Sequence, residues 1–408
     1  MTTGPDTTWE TERTAEFTRP SFLHGGMMDQ IHRGLVGVKM DTSGICHIDG
    51  LKGELIYRGY DIRDLAAGAT FEEVVYLLWY GDLPDEGQLT AFRERLGAHM
   101  KLPAEAELLA WGDNGIRPMH ALRTAVSALG SADVEADGLE PDNLERIGLR
   151  LTAKIPALVA AIVRLRNGAE LVHPKPELSL AGNFLYMLTG EEPTAAAVRV
   201  MDVALILHAE HGVNASTFAA RAIAGTNSDA YSAITAAIGS LKGPSHGGAN
   251  TAVMEVLEGL GGIDDVEPYV MDVLAQPKGR VMGFGHRVYR VLDPRATVLK
   301  RVAEDLAAER AGSDAARYFE MSLEMERVMD REMEKRNRQV KPNVDFFSAS
   351  VYHMLGFPTD LFTPIFAAAR TPGWLAHLFE QYADNILLRP QLVYDGPTDR
   401  KFVPLEER

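Results

Sequence analysis

From Thr70 to Leu388 the chain is patterned for helices almost without interruption, which leaves little room for a sheet. Thr70 can cap a helix over 71–80, whose Val74, Val75, Leu77 and Leu78 form an apolar face, and Gly81-Asp-Leu-Pro84 ends it. Further helices are predicted at 86–99, 118–130, 142–167, 178–189 and 195–224. The series continues with an Ala-rich segment over 231–241, then 251–260, 265–275, 295–311, 314–338, 346–355 and 363–388. Short strands are expected only near the start, at 34–38, around 48–50 and at 54–60, with glycines marking the turns. Residues 1 to about 33 read as a loosely ordered arm, and Pro390, Pro397 and Pro404 make the tail after Arg389 extended. The fold class is therefore all-α, mainly helical, with a few short N-terminal strands.

Length and charge narrow the functions open to such a chain. Its 408 residues suggest two domains, and a net charge of −16 opposes general attraction to nucleic acid or anionic membranes. No apolar run reaches the roughly 20 residues that cross a bilayer. The acidic start, with Asp6, Glu10, Glu12 and Glu16, argues against a secretory or organellar leader, so a cytoplasmic location is expected. Cys46 is the one cysteine, which excludes an intrachain disulfide and a Cys-based zinc site.

Several stretches break the ordinary helical pattern. In Gly243-Pro-Ser-His246-Gly-Gly-Ala-Asn250 an imidazole is delivered just before a helix, where the dipole favours a neutral ring able to donate a hydrogen bond. A linker histidine is the alternative. In His208-Ala-Glu-His211-Gly-Val-Asn214 two histidines three apart share a helix face; a metal pair, core packing and substrate binding by His211 all stay open. Met282-Gly-Phe-Gly285-His286 frees a loop to fold closely over a ligand, and Asp293-Pro294-Arg295 places an arginine at a helix start. Around it Arg280, Arg287, Arg290, Lys300 and Arg301 make a basic island, fit for a small polyanion or for a solvated helix face. Asp345, in Pro342-Asn-Val-Asp345-Phe-Phe, reads either as an N-cap or as a desolvated general base. Arg370 and Arg389 lie in apolar sequence and need anionic partners, either a dicarboxylate or the internal acids Glu380 and Asp384.

Four of these motifs, His208-x-x-His211-Gly-x-Asn214, Gly243-Pro-x-His246-Gly, Gly283-x-Gly-His286 with Asp293-Pro-Arg295, and Pro342-Asn-Val-Asp345 with Ala369-Arg370, resemble the citrate synthase family in order and over about residues 34–397. The resemblance implies a large helical domain built from residues 1–248 and 360–408, a small one over 249–359, and a homodimer with shared active sites. It implies that His246 stabilises the acetyl enol, that His286 polarises the oxaloacetate carbonyl and that Asp345 removes the methyl proton. His211, Arg295 and Arg370 would hold the oxaloacetate carboxylates, with Arg389 reaching in from the other subunit. Arg290 and the loop Val281, Met282, Gly283, Phe284, Gly285 would contact coenzyme A. No metal and no cofactor beyond the acetyl-CoA substrate is implied. The related 2-methylcitrate synthases, which use propionyl-CoA, share these catalytic positions. A non-catalytic anion-binding protein and a zinc hydrolase built on His208 and His211 are the readings from other classes.

Overall fold

The structure, a computed structural model, describes residues 31–102 and 117–408. Most of the predicted N-terminal arm lies outside the described residues. Of residues 1–42, the described part contributes a single 3₁₀ turn, Arg33–Leu35, where a strand over 34–38 was expected. Residues 43–408 form one compact unit of fifteen described α-helices and one small sheet.

The sheet is antiparallel, β1 (Cys46–Asp49), β2 (Glu54–Tyr57) and β3 (Tyr60–Asp61) in that order. Asp49 Oδ1 accepts the Leu51 and Lys52 N–H groups, which closes the first turn. Between the paired Tyr57 and Tyr60, Arg58 and Gly59 both take positive φ (48° and 96°), the pair of left-handed residues that a two-residue hairpin needs. Asp61 then caps α1 (Ile62–Gly68), a helix too short for its periodicity to show in sequence.

Nine more helices lead to the site: α2 (Phe71–Tyr80), α3 (Glu86–Gly97), α4 (Pro118–Ala132), α5 (Pro141–Arg166), α6 (Leu180–Thr189), α7 (Ala195–His208), α8 (Ala215–Ala224), α9 (Ala230–Leu241) and α10 (Ala249–Gly259). The cap expected at Thr70 is present, and it is a capping box, with Glu73 Oε2 accepting the Thr70 N–H at 2.7 Å. The single helix expected over 195–224 is two. It breaks at 209–214, where Gly212 takes φ 61° and Asn214 Oδ1 caps α8 through the Ser216 and Thr217 N–H groups.

The chain ends in α11 (Val266–Ala275), α12 (Pro294–Glu309), α13 (Asp314–Lys335), α14 (Val344–Met354) and α15 (Phe362–Ala383). Helices α10 to α14 pack on one another, α14 against α10, α12 and α13. Helix α15 is buried nearly all round from Phe362 to Leu378 and packs against α2, α5, α7, α8 and α9. Its Trp374 is fully buried, a side chain whose truncation typically costs about 3–5 kcal/mol. The helix stops at Ala383, five residues before the predicted end, so Arg389 falls in the extended tail. No described helix is long and apolar enough to cross a membrane.

Candidate active site

Two buried arginines organise the site. Asp293 caps α12 by accepting the Arg295 N–H at 3.0 Å, and its carboxylate also takes Arg295 Nε at 3.0 Å and Nη2 at 2.8 Å. The same Oδ2 that takes Nη2 also accepts the Val344 N–H at 3.3 Å, which ties the start of α12 to the start of α14. Burial, the largest single influence, pushes the Asp293 pKa up, but the Arg295 charge and hydrogen bonds, with His286, bring it below the ordinary value. Arg370, on α15, donates from Nε to the His208 carbonyl at 2.6 Å and lies over the Phe366 ring at 4.9 Å. It makes no ion pair among the described residues, so neither Glu380 nor Asp384 serves as its partner.

Three imidazoles lie around these guanidiniums. His211 belongs to the break between α7 and α8, so it and His208 do not share a helix face as the spacing suggested. Its Nε2 is 3.3 Å from the Tyr289 hydroxyl, and its ring centroid is 5.2 Å from that of His286. Burial and then the charge of Arg295 hold its pKa well below the usual imidazole value.

His286 accepts the Val288 and Tyr289 N–H groups on Nδ1, at 3.0 and 3.2 Å. Two donors aimed at Nδ1 leave it no room for a proton, so the neutral ring carries its hydrogen on Nε2 and can donate from there. Burial and Arg295 bring its pKa down to about 4. The loop before it is strapped to the 341–343 segment: Gly285 N–H donates to Lys341 O at 2.8 Å, and Asn343 bonds Gly283 O and Gly285 O, each at 2.9 Å. Gly283 is also required by packing, since a Cβ there would lie 2.7 Å from the Phe346 ring.

His246 lies before α10, yet its Nε2 faces the start of α8, accepting the Ser216 N–H at 3.3 Å and lying 2.8 Å from Ser216 Oγ. A lone pair on Nε2 places the neutral ring's proton on Nδ1. Burial first, and Arg370 second, lower its pKa to about 4, where the sequence suggested the dipole of the following helix as the cause.

Asp345 is not the N-cap of α14. Asn343 is, accepting the Asp345 N–H at 3.0 Å, and Asp345 stands in the first turn between the buried Val344 and Phe346. Its Oδ1 is shielded and has no hydrogen-bond partner among the described residues. Burial raises its pKa to about 7, with Arg295 and Arg370 pulling against the rise and Asp293 adding to it. Both arginines thus act on His211 and Asp345, Arg295 alone on His286 and Arg370 alone on His246.

The family model for the citrate synthase C-terminal domain matches residues 34–391. Citrate synthase 2 of Bacillus subtilis is 48% identical over 378 residues, 92% of this chain and 99% of that protein. The 2-methylcitrate synthase 1 of Corynebacterium glutamicum is 40% identical over 93% of this chain and 99% of its own. The structure is also similar to citrate synthase of Thermoplasma acidophilum solved as a ternary complex with carboxymethyl coenzyme A and oxaloacetate. That likeness has a TM-score of 0.88 and 34% identity over 93% of this chain and 100% of the other. The chain belongs to the citrate synthase family.

The residues that the citrate synthase motifs assign to coenzyme A divide in two. Val281 and Gly283 are buried, Met282, Phe284 and Gly285 half-buried, and the exposed Arg290 is anchored by its backbone N–H on Gly50 O at 2.8 Å. Of the basic island, Arg287 is exposed and Lys300 is taken by Glu326 at 2.6 Å, so only Arg295 belongs to the buried cluster. Arg389 is exposed and is not brought to the other site residues, contrary to the burial its sequence suggested. His208 is buried with Nδ1 donating to Ala204 O at 2.7 Å; among the described residues no three metal-ligating side chains come together. Sequence reading missed Asp293 as a partner of Arg295, Tyr289 beside His211, and Ser216 and Trp374 beside His246. Trp374 Nε1 donates to Ser216 Oγ at 3.1 Å, a bond between residues 158 positions apart that no local signal announces.

Proposed function

We propose that this member of the citrate synthase family condenses acetyl-CoA with oxaloacetate and hydrolyses the resulting thioester to citrate and free coenzyme A. Asp345 takes a proton from the acetyl methyl group. That carbon acid is weaker than a carboxylic acid by on the order of ten pKa units, about 14 kcal/mol. Raising Asp345 from 3.8 to about 7 narrows the gap by roughly 4 kcal/mol and no more. The rest falls to a donor at the developing enolate oxygen, which the Nδ1–H of His246 supplies in a shielded setting. The enol carbon then attacks the ketone of oxaloacetate, polarised by the Nε2–H of His286, while His211, Arg295 and Arg370 hold its carboxylates. Water cleaves citryl-CoA. Every bond made and broken is accounted for without a metal or a redox cofactor.

The observation that carries this reading is the shielded Asp345 Oδ1, without a hydrogen-bond partner among the described residues and under the charges of Arg295 and Arg370, the first of which also lowers the pKa of His286 and the second that of His246. Asp345→Asn should lower kcat by about 10²–10⁴-fold with oxaloacetate binding retained, measured by thiol release and by equilibrium binding. Normal turnover in that variant would remove the base. The relatives named 2-methylcitrate synthase support a second reading, in which propionyl-CoA is the preferred acyl donor. One methylene is worth only about 1–3 kcal/mol in an apolar pocket, so thiol release with acetyl-CoA and propionyl-CoA side by side decides between them. A homodimer in which Arg389 completes the partner's site, a small domain over 249–359 that closes on the substrates, and a cytoplasmic location complete the proposal. Its exposed position leaves Arg389 free to meet a second subunit.

A further inference from the structure

One stripe of α15 carries Arg370, Gly373, Trp374 and His377, three, four and seven residues along, and all four meet the segment that joins α7 to α8. Arg370 and Trp374 bond His208 O and Ser216 Oγ at its two ends. Between them, His377 Nε2 lies 3.0 Å from Glu210 Oε1, and position 373 can hold only glycine at this spacing. A Cβ there would stand 2.1 Å from Ala209 O and 2.6 Å from Glu210 Oε2.

Glu210 is fully buried and bound from several sides. Its Oε1 also accepts the Gly212 N–H, the residue after His211. Its backbone N–H and carbonyl both engage the Tyr57 hydroxyl, at 3.1 and 2.7 Å. Its Oε2 has no hydrogen-bond partner among the described residues. A buried carboxylate oxygen left bare is costly unless a nearby cation offsets it, and Arg370 is buried with no ion pair of its own. After burial, the charge of Glu210 is the largest influence on the Arg370 guanidinium, and it favours the charged form.

We propose that Glu210 is a positioning residue for the carboxylate-holding side of the site. One oxygen fixes the turn that presents His211, and the other supplies the through-space counter-charge to Arg370. It does not touch substrate. The inference rests on the reading of His211 and Arg370 as oxaloacetate ligands.

Steady-state thiol release with each substrate varied in turn tests it in Glu210→Ala, Glu210→Gln and Gly373→Ala, with circular dichroism as the check on folding. Glu210→Ala should raise the oxaloacetate KM roughly tenfold or more, the scale of one buried polar group losing its partners, while the acetyl-CoA KM and kcat move far less. Glu210→Gln keeps an oxygen for the Gly212 N–H and should recover part of the loss. Gly373→Ala pushes α15 off Ala209 and should reproduce the oxaloacetate-specific loss even where Glu210→Ala fails to fold. Unchanged oxaloacetate KM in the folded variants, or equal losses for both substrates, would overturn the inference. A wild-type protein without oxaloacetate-dependent thiol release would instead overturn the functional reading beneath it.

Discussion

Arg295 and Arg370 sit equally deep, 2% and 1% exposed, yet only the first is held in a hydrogen-bonded ion pair among the described residues. Arg295 is held by Asp293 through a two-pronged ion pair that also caps α12 and anchors α14, so its charge is largely spent on building the site. Arg370 gives only its Nε to a carbonyl and keeps the rest of its fork for something else. The first arginine is architecture that a ligand can share. The second, its charge offset only through space by Glu210, keeps hydrogen-bond donors that an anion can take.

The sharpest break in that contrast is Asp293→Asn. It leaves a buried arginine unpaired and loosens two helix starts, so unfolding free energy should fall by about 3–5 kcal/mol, read from the denaturant midpoint. A loss below about 1 kcal/mol would mean that Arg295 is not structurally committed. Next comes Arg370→Met, expected to cost less stability than Asp293→Asn while costing oxaloacetate binding about 2–4 kcal/mol, roughly 30- to 1,000-fold in Kd. If it destabilised the protein as much as Asp293→Asn, the two arginines would be alike. Asn343→Ala removes the α14 cap and one strap on the 281–285 loop and should cost about 1 kcal/mol of stability.

The smallest effect separates binding from chemistry by pH. With its pKa raised to about 7, Asp345 is protonated below that pH and cannot accept a proton, so kcat/KM for acetyl-CoA should fall about tenfold per unit as pH drops below 7. His246 and His286, at about 4, stay neutral throughout that range. Oxaloacetate affinity between pH 6 and 8 should be nearly flat, since the arginines do not titrate there. A parallel fall in both would place the titrating group on the binding side.

Local chemistry was legible in the sequence where it is written within a few residues. Thr70 and Glu73 form their capping box, and Pro294 opens α12 behind its Asp293 cap. The break at 209–214 was not legible, because Ala, Glu and His are tolerable helix residues and what opens the helix there is Gly212 at positive φ together with the α15 stripe. Asp345 looked like a cap because the cap, Asn343, stands two residues earlier and bonds the Asp345 N–H. His246 was rightly read as neutral, but the helix start that it faces belongs to a segment thirty residues upstream. Ser216, Trp374 and Glu210 acquire their roles only through contacts between distant helices, and no spacing along the chain encodes those.

The central claim is that the two arginines, three histidines and Asp345 serve one substrate junction. A crystal structure of the oxaloacetate complex tests it most directly. One carboxylate should lie on the open fork of Arg370 beside His211, the other should reach Arg295, and the keto oxygen should accept the Nε2–H of His286, with Asp345 still free of ligand contact. Oxaloacetate bound elsewhere, or bound here with its ketone turned away from His286, would contradict the claim.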